Sequence, residues 1–219
     1  RGIAAVMVVL FHVSRMFQND IGYLPFGTIT EIGHVGVDFF FVLSGFIIYY
    51  IHAKDIGNPA KIKDFALKRI IRVFPMFWVV FLAYIAIAPF MSSVEVPTLS
   101  NAISQLSLLP TGQKDRLVNV SWSLQYEIAF YIAFAVLILH RHIGALLMIS
   151  WLAMVLFDNF ISPIPIHTIL LSSFVFQFFA GILAAHIILK LEIKNAGGVL
   201  LFGLIYAFSL FYIEINNSF

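Results

Sequence analysis

Long apolar runs, each close to the length needed to cross a bilayer, govern what this chain can fold into. Seven can be read, at residues 1–17, 36–52, 73–91, 120–139, 143–161, 168–189 and 197–214. A spanning helix needs about 20 mostly apolar residues to cross a hydrocarbon core of about 30 Å. The runs are too long for barrel strands and do not alternate polar with apolar, so helices are expected. Composition agrees, with 61% of the 219 residues hydrophobic and 11% charged, against roughly 45–50% and about 25% in soluble domains. The expected fold class is all-α, a polytopic transmembrane bundle of about seven spanning helices in one integral-membrane domain over residues 1–219. Segment 101–110 is too short to cross and ends at Pro110, which fits an interfacial or re-entrant piece.

The absence of cysteine excludes disulfide scaffolds, thiolate metal sites and cysteine nucleophiles. A net charge of only +2, with the basic residues beside apolar spans, speaks for topology signals and against nucleic acid. The chain opens on Arg1 with its first apolar run already under way. It is therefore expected to be incomplete at both ends, and Arg1 reads as the start of a helix, not of a signal peptide. If Arg1 is cytoplasmic, ten of the thirteen Lys and Arg residues share that side: Arg1, Lys54, Lys61, Lys63, Lys68, Arg69, Arg72, Arg141, Lys190 and Lys194. Lys114 and Arg116 fall outside, with Arg15 near the outer end of the first helix. The positive-inside tendency selects this orientation, which makes 53–72 a basic cytoplasmic loop and turns residues 18–35 outward.

Ionisable groups inside spans cost roughly 2.5–3.5 kcal/mol each on insertion scales and are functional candidates by default. His12, Asp38 and Glu127 are such groups. Arg1 and His12 are eleven residues apart, which places them on one helix face about 16.5 Å apart along the axis. That spacing suits a cation at the mouth of a path and an imidazole deeper along it; a helix-end anchor and a hydrogen-bonded core histidine explain it too. Topology sets Glu127 at a depth comparable with His12. A carboxylate there can fix the imidazole tautomer and leave the other nitrogen as a base; alternatively, Glu127 forms a structural ion pair with Arg15.

Asp38 lies in a first helical turn, where the macrodipole is reason enough for it, and His34 is near enough to pair with it. Ser44-Gly45 suits close helix packing, and Ser44 has no adjacent base to make it a nucleophile. Arg69 and Arg72 share a helix face and can grip phosphate, or simply anchor the chain to lipid headgroups. His140-Arg141-His142 offers no third or fourth ligand, and His52, His167 and His186 sit near span ends, where histidine is unremarkable. No metal is expected.

Four stretches in order resemble the membrane-bound acyltransferase 3 family, which includes O-acetylases of O-antigens and exopolysaccharides. They are Arg1 to His12 (Arg-x10-His), Gly36-Val37-Asp38-Phe39-Phe40-Phe41-Val42-Leu43-Ser44-Gly45-Phe46, Arg69-Ile70-Ile71-Arg72 before Phe74-Pro75, and Trp122-Ser123-Leu124-Gln125-Tyr126-Glu127 with Phe130-Tyr131. Each motif is short, but four in order across residues 1–131 make chance a poor explanation. Residues 140–219 add apolar helices without a further motif, and the family's domain usually holds more helices than the seven counted here.

The resemblance implies transfer of an acyl group, commonly acetyl, from cytoplasmic acyl-CoA to a hydroxyl of an extracytoplasmic carbohydrate across a bacterial cytoplasmic (inner) membrane. It implies His12 and Glu127 as the catalytic residues and Arg1, Arg69 and Arg72 as the acyl-CoA-binding ones. Asp38, Ser44, Trp122 and Ser123 would be supporting. Acyl-CoA is then a substrate and no bound cofactor or metal is called for. The rival from another class is a proton-coupled transporter or flippase, in which buried His and Glu relay protons; the inverted repeats that would favour it are not visible.

Overall fold

The computed structural model describes residues 2–25, 27–90, 98–108, 121–164 and 169–191. Among these, regular structure is helical throughout. The α-helices are α1 (Gly2–Ile21), α2 (Val35–His52), α3 (Ile62–Ile87), α4 (Leu99–Leu106), α5 (Trp122–Leu139), α6 (Arg141–Phe160) and α7 (Val175–Lys190). Five stretches among the described residues are long and apolar enough to cross a membrane: Gly2–Ile21, Thr30–Asp55, Pro59–Phe90, Trp122–Leu139 and Arg141–Phe160. α4 has only eight residues, in keeping with a segment too short to cross. Arg1, most of the run at 197–214's approach and that run itself lie outside the described residues.

Two elements differ from the sequence expectation. α7 has 16 residues and starts seven later than the apolar run at 168, because serines interrupt it. The Ser172 carbonyl accepts from the Val175 N–H at 3.1 Å, and its hydroxyl accepts from the Phe174 N–H at 3.4 Å. Such side chains offer the backbone an alternative to the helix.

The second difference matters more. α3 begins at Ile62, not at 73, and runs for 26 residues, about 39 Å at 1.5 Å per residue. It continues from a tight turn at Pro59–Lys61, which Asn58 caps by accepting from the Ala60 N–H. Asp64 in the first turn complements the helix dipole. The basic segment 53–72 is thus only partly a loop. Arg69 and Arg72 ride on α3, about two and three turns past its start.

The chain forms two compact units. Among the described residues, one comprises those up to Tyr50 together with Ala180 to Leu191, the other those from Ile51 to Phe179. In the first, α2 starts directly against α1: a Cβ added at Gly36 would lie 2.7 Å from the Ala4 carbonyl oxygen. Tyr49 on α2 meets His186 on α7 through its hydroxyl, 2.7 Å from Nδ1.

In the second unit α5 is the central helix, with nine buried side chains from Gln125 to Ile138. α6 folds back on it through a turn at His140 so tight that a Cβ on Gly144 would sit 2.2 Å from the Leu137 Cα. On its other flank α5 receives a buried stripe from α3: Phe65, Arg69, Val73, Phe77 and Phe81. Phe65 stacks on Phe134 at 5.8 Å and Phe130 on Phe178 at 4.5 Å. The outer faces stay apolar, with Val79 63% and Leu146 67% exposed. Such faces suit lipid as the solvent.

Candidate active site

Arg69 is a cation in the middle of an apolar stripe. Residues four apart stack on one helix face, so the spacing Phe65, Arg69, Val73 turns the guanidinium toward α5 along with the phenylalanines. It is 8% exposed. Its Cζ lies 5.5 Å from the Phe65 ring centroid and 5.6 Å from that of Tyr131, cation–π distances to two rings that meet each other edge-on. Nη2 donates to His52 Nε2 at 3.3 Å, and Nε is buried without a partner among the described residues.

One turn further along α3, Arg72 reaches Glu127 on α5, with Nη2 3.5 Å from Oε1. The carboxylate is 14% exposed and the guanidinium 30%. The same oxygen accepts from the Tyr131 hydroxyl, which stands four residues along α5 on the same face. Tyr131 therefore serves both arginines, its ring against Arg69 and its hydroxyl beside the partner of Arg72. The two arginines of the Arg-x-x-Arg motif are thereby unlike each other. Arg72 faces a carboxylate that offsets its charge, while Arg69 touches an imidazole and two aromatic faces.

The remaining sequence candidates lie around this cluster or apart from it. Trp122, at the start of α5, meets Tyr126 edge-on at 5.8 Å and Phe174 at 5.1 Å. Ser123 follows it, half-buried. His12 belongs to the first unit, where it is exposed and meets Phe11 edge-on at 5.3 Å. Among the described residues no hydrogen bond or ion pair falls on His12. Asp38 is half-buried in the first turn of α2 and Ser44 is buried further along it; neither stands without a partner. His12 and Glu127 belong to different units, and each is placed within its own. Arg1 lies outside the described residues.

Within the first unit Arg15 pairs with Glu31 at 3.2 Å, and within the second Arg72 stands beside Glu127. His34 donates through Nδ1 to the Glu31 carbonyl at 2.7 Å. His52, unremarkable by its place at a span end, is 4% exposed and bonded on both ring nitrogens. Asp55 and Tyr131 also join the cluster without having been assigned a role. The four-residue recurrence of Phe65, Arg69, Val73, Phe77 and Phe81 is the signal that would have turned Arg69 inward.

Known proteins speak to the same chemistry. A family model described as an acyltransferase domain matches residues 1–218. The exopolysaccharide production protein ExoZ of Rhizobium meliloti (strain 1021) is 31% identical over 111 residues, 48% of this chain and 34% of that protein. The matched part spans about a third of that relative's length. No solved structure matches the chain. With the family model covering nearly every residue, and the described residues helical and of membrane type, the chain belongs to the acyltransferase 3 family.

Proposed function

We propose that this acyltransferase moves an acyl group, acetyl foremost, from cytoplasmic acyl-CoA to a hydroxyl of an extracytoplasmic carbohydrate such as an exopolysaccharide or O-antigen. The observation that carries the donor half is the buried guanidinium of Arg69, with an unpartnered Nε, one turn from Arg72 on a membrane-type helix. CoA brings several phosphate charges, and guanidinium groups in a water-poor setting bind phosphate oxygens strongly. Arg1, which lies outside the described residues, is the third donor-binding group of this reading. The excess of Lys and Arg on one side supports a cytoplasmic start for α1 and a bacterial inner membrane as the setting. The name of the matching relative, tied to exopolysaccharide production, supports a polysaccharide acceptor.

In this reading His12 is the general base. Its neutral imidazole takes the proton of the acceptor hydroxyl as that oxygen attacks the thioester carbonyl carbon. The tetrahedral intermediate then expels the CoA sulfur, the carbon–sulfur bond breaks, and the proton passes from His12 to the leaving thiolate. Glu127 orients His12 or stabilises the imidazolium, in addition to holding Arg72. Asp38, Ser44, Trp122 and Ser123 support the helices that carry these groups.

The test is transfer of labelled acetyl from acetyl-CoA to polysaccharide in membranes carrying the full protein, wild type against His12→Ala at matched protein level. Label that reaches polysaccharide in wild type and is lost in the variant is the expected result. Undiminished transfer by His12→Ala removes His12 from the mechanism. Absence of transfer in wild type, with acetyl-CoA binding also absent, overturns the donor assignment.

A further inference from the structure

Within the second unit, Asp55, His52 and Arg69 form a line of contacts: Asp55 Oδ2 is 2.7 Å from His52 Nδ1, and His52 Nε2 is 3.3 Å from Arg69 Nη2. A guanidinium can only donate, so Nε2 carries the lone pair and the proton sits on Nδ1, where the carboxylate accepts it. One species satisfies both contacts, the neutral Nδ1–H imidazole. An imidazolium would set N–H against N–H and place two positive charges side by side. The same logic lets a carboxylate fix the tautomer of a metal-ligating histidine; here the cation is an arginine. The His52 ring also stands edge-on to Phe65 at 5.1 Å, the residue whose ring flanks Arg69.

The arrangement answers a conflict in any anion site built on a buried arginine. A bare buried cation is costly, yet a carboxylate paired directly with it takes up two donors of the guanidinium fork. An imidazole placed between them brings the negative charge of Asp55 near while using one N–H of Arg69. The Nε–H, buried and unpartnered among the described residues, is left as an unused donor.

We propose that His52 and Asp55 are positioning residues for Arg69: Asp55 sets the imidazole tautomer, and His52 holds one arm of the guanidinium so that its Nε edge meets a phosphate oxygen of the acyl donor. The proposal rests on Arg69 being a donor-binding group. It is tested on the full protein by acetyl-CoA binding and by steady-state kinetics in the donor, for wild type, Arg69→Leu, His52→Leu, His52→Gln and Asp55→Asn. His52→Leu raises the apparent KM for acetyl-CoA about tenfold, the loss expected for one hydrogen bond to a charged group, with kcat little changed. His52→Gln, whose Oε1 is an acceptor at similar reach, restores most of that affinity. Asp55→Asn falls between the two.

A KM unchanged in His52→Leu, or raised and not relieved by Gln, overturns the positioning role while the loss of binding in Arg69→Leu keeps the donor assignment. Wild-type protein that does not bind acetyl-CoA, or an Arg69→Leu variant that binds it normally, overturns the donor assignment and this proposal with it. Should His52→Leu not fold, the contrast of His52→Gln with Asp55→Asn decides: near-wild-type KM in the first and a raised KM in the second supports the role, and equal values overturn it.

Discussion

Arg72 on α3 meets Glu127 on α5 with Nη2 and Oε1 3.5 Å apart, joining two motifs through residues 55 positions apart in sequence. The pair fixes the register between the helices at the level where Tyr131 adds its hydroxyl to the same oxygen. In a partly buried setting, removing one partner leaves the other with a desolvated charge. Glu127→Gln and Arg72→Met should each lower thermal stability in detergent, and a double-mutant cycle should return a coupling of about 0.5–3 kcal/mol. Strictly additive variants would show that the contact contributes nothing.

Tyr131→Phe separates the two tasks of that residue. The ring against Arg69 remains, and the hydroxyl on Glu127 is lost. Stability is expected to fall by about 1 kcal/mol while affinity for acetyl-CoA stays within about twofold. A large loss of donor affinity measured by calorimetry would mean that the hydroxyl itself serves the donor site.

In Arg69→Lys the lysine should not replace the planar fork of the arginine. A lysine has no planar group to set against the Phe65 and Tyr131 rings and no Nε edge. The expected result is a loss of acetyl-CoA affinity of roughly tenfold to a hundredfold, the range for one hydrogen bond to a charged group. Wild-type affinity in the lysine variant would reduce the site to a simple point charge.

His12→Ala should remove most of the transfer rate, on the order of a hundredfold to ten-thousandfold for a general base. Its melting temperature should match wild type, because His12 is exposed and carries no hydrogen bond or ion pair among the described residues. A variant that loses activity together with its fold would move His12 from chemistry to structure.

Gly144→Val tests the α5–α6 hairpin without touching the cluster. A Cβ there would sit 2.2 Å from the Leu137 Cα, so the helices must part. A loss of about 1–3 kcal/mol is expected from overpacking of this kind, read as an earlier thermal transition.

The helical class was legible because apolar runs and their lengths are local quantities. Orderings such as α5 followed at once by α6 were close to their expected bounds. The start of α3 was not, since Lys61, Lys63, Lys68, Arg69 and Arg72 lower the hydropathy of residues that helix propensity still keeps helical. A reading by hydropathy stops where charge begins, whereas the helix stops where its hydrogen bonds do. For the same reason Arg69 and Arg72 read as equivalent cations of one loop. Their difference depends on which α5 side chain each one meets, a relation between distant segments that neither motif contains. His52 was hidden by its position. A histidine at a helix end usually needs no partner, and only the fold reveals that Asp55 and Arg69 occupy both of its nitrogens.

The early start of α3 has a consequence for the membrane around it. A helix of about 39 Å exceeds a hydrocarbon core of about 30 Å by some 9 Å, and that excess must be taken up by tilt or by emergence into the headgroups. Either adjustment changes the depth of Arg69 and Arg72, because both lie within the first three turns. Lipid chain length is thereby coupled to the polarity around these guanidinium groups. Longer acyl chains set more hydrocarbon around them, and shorter ones more water and phosphate headgroup.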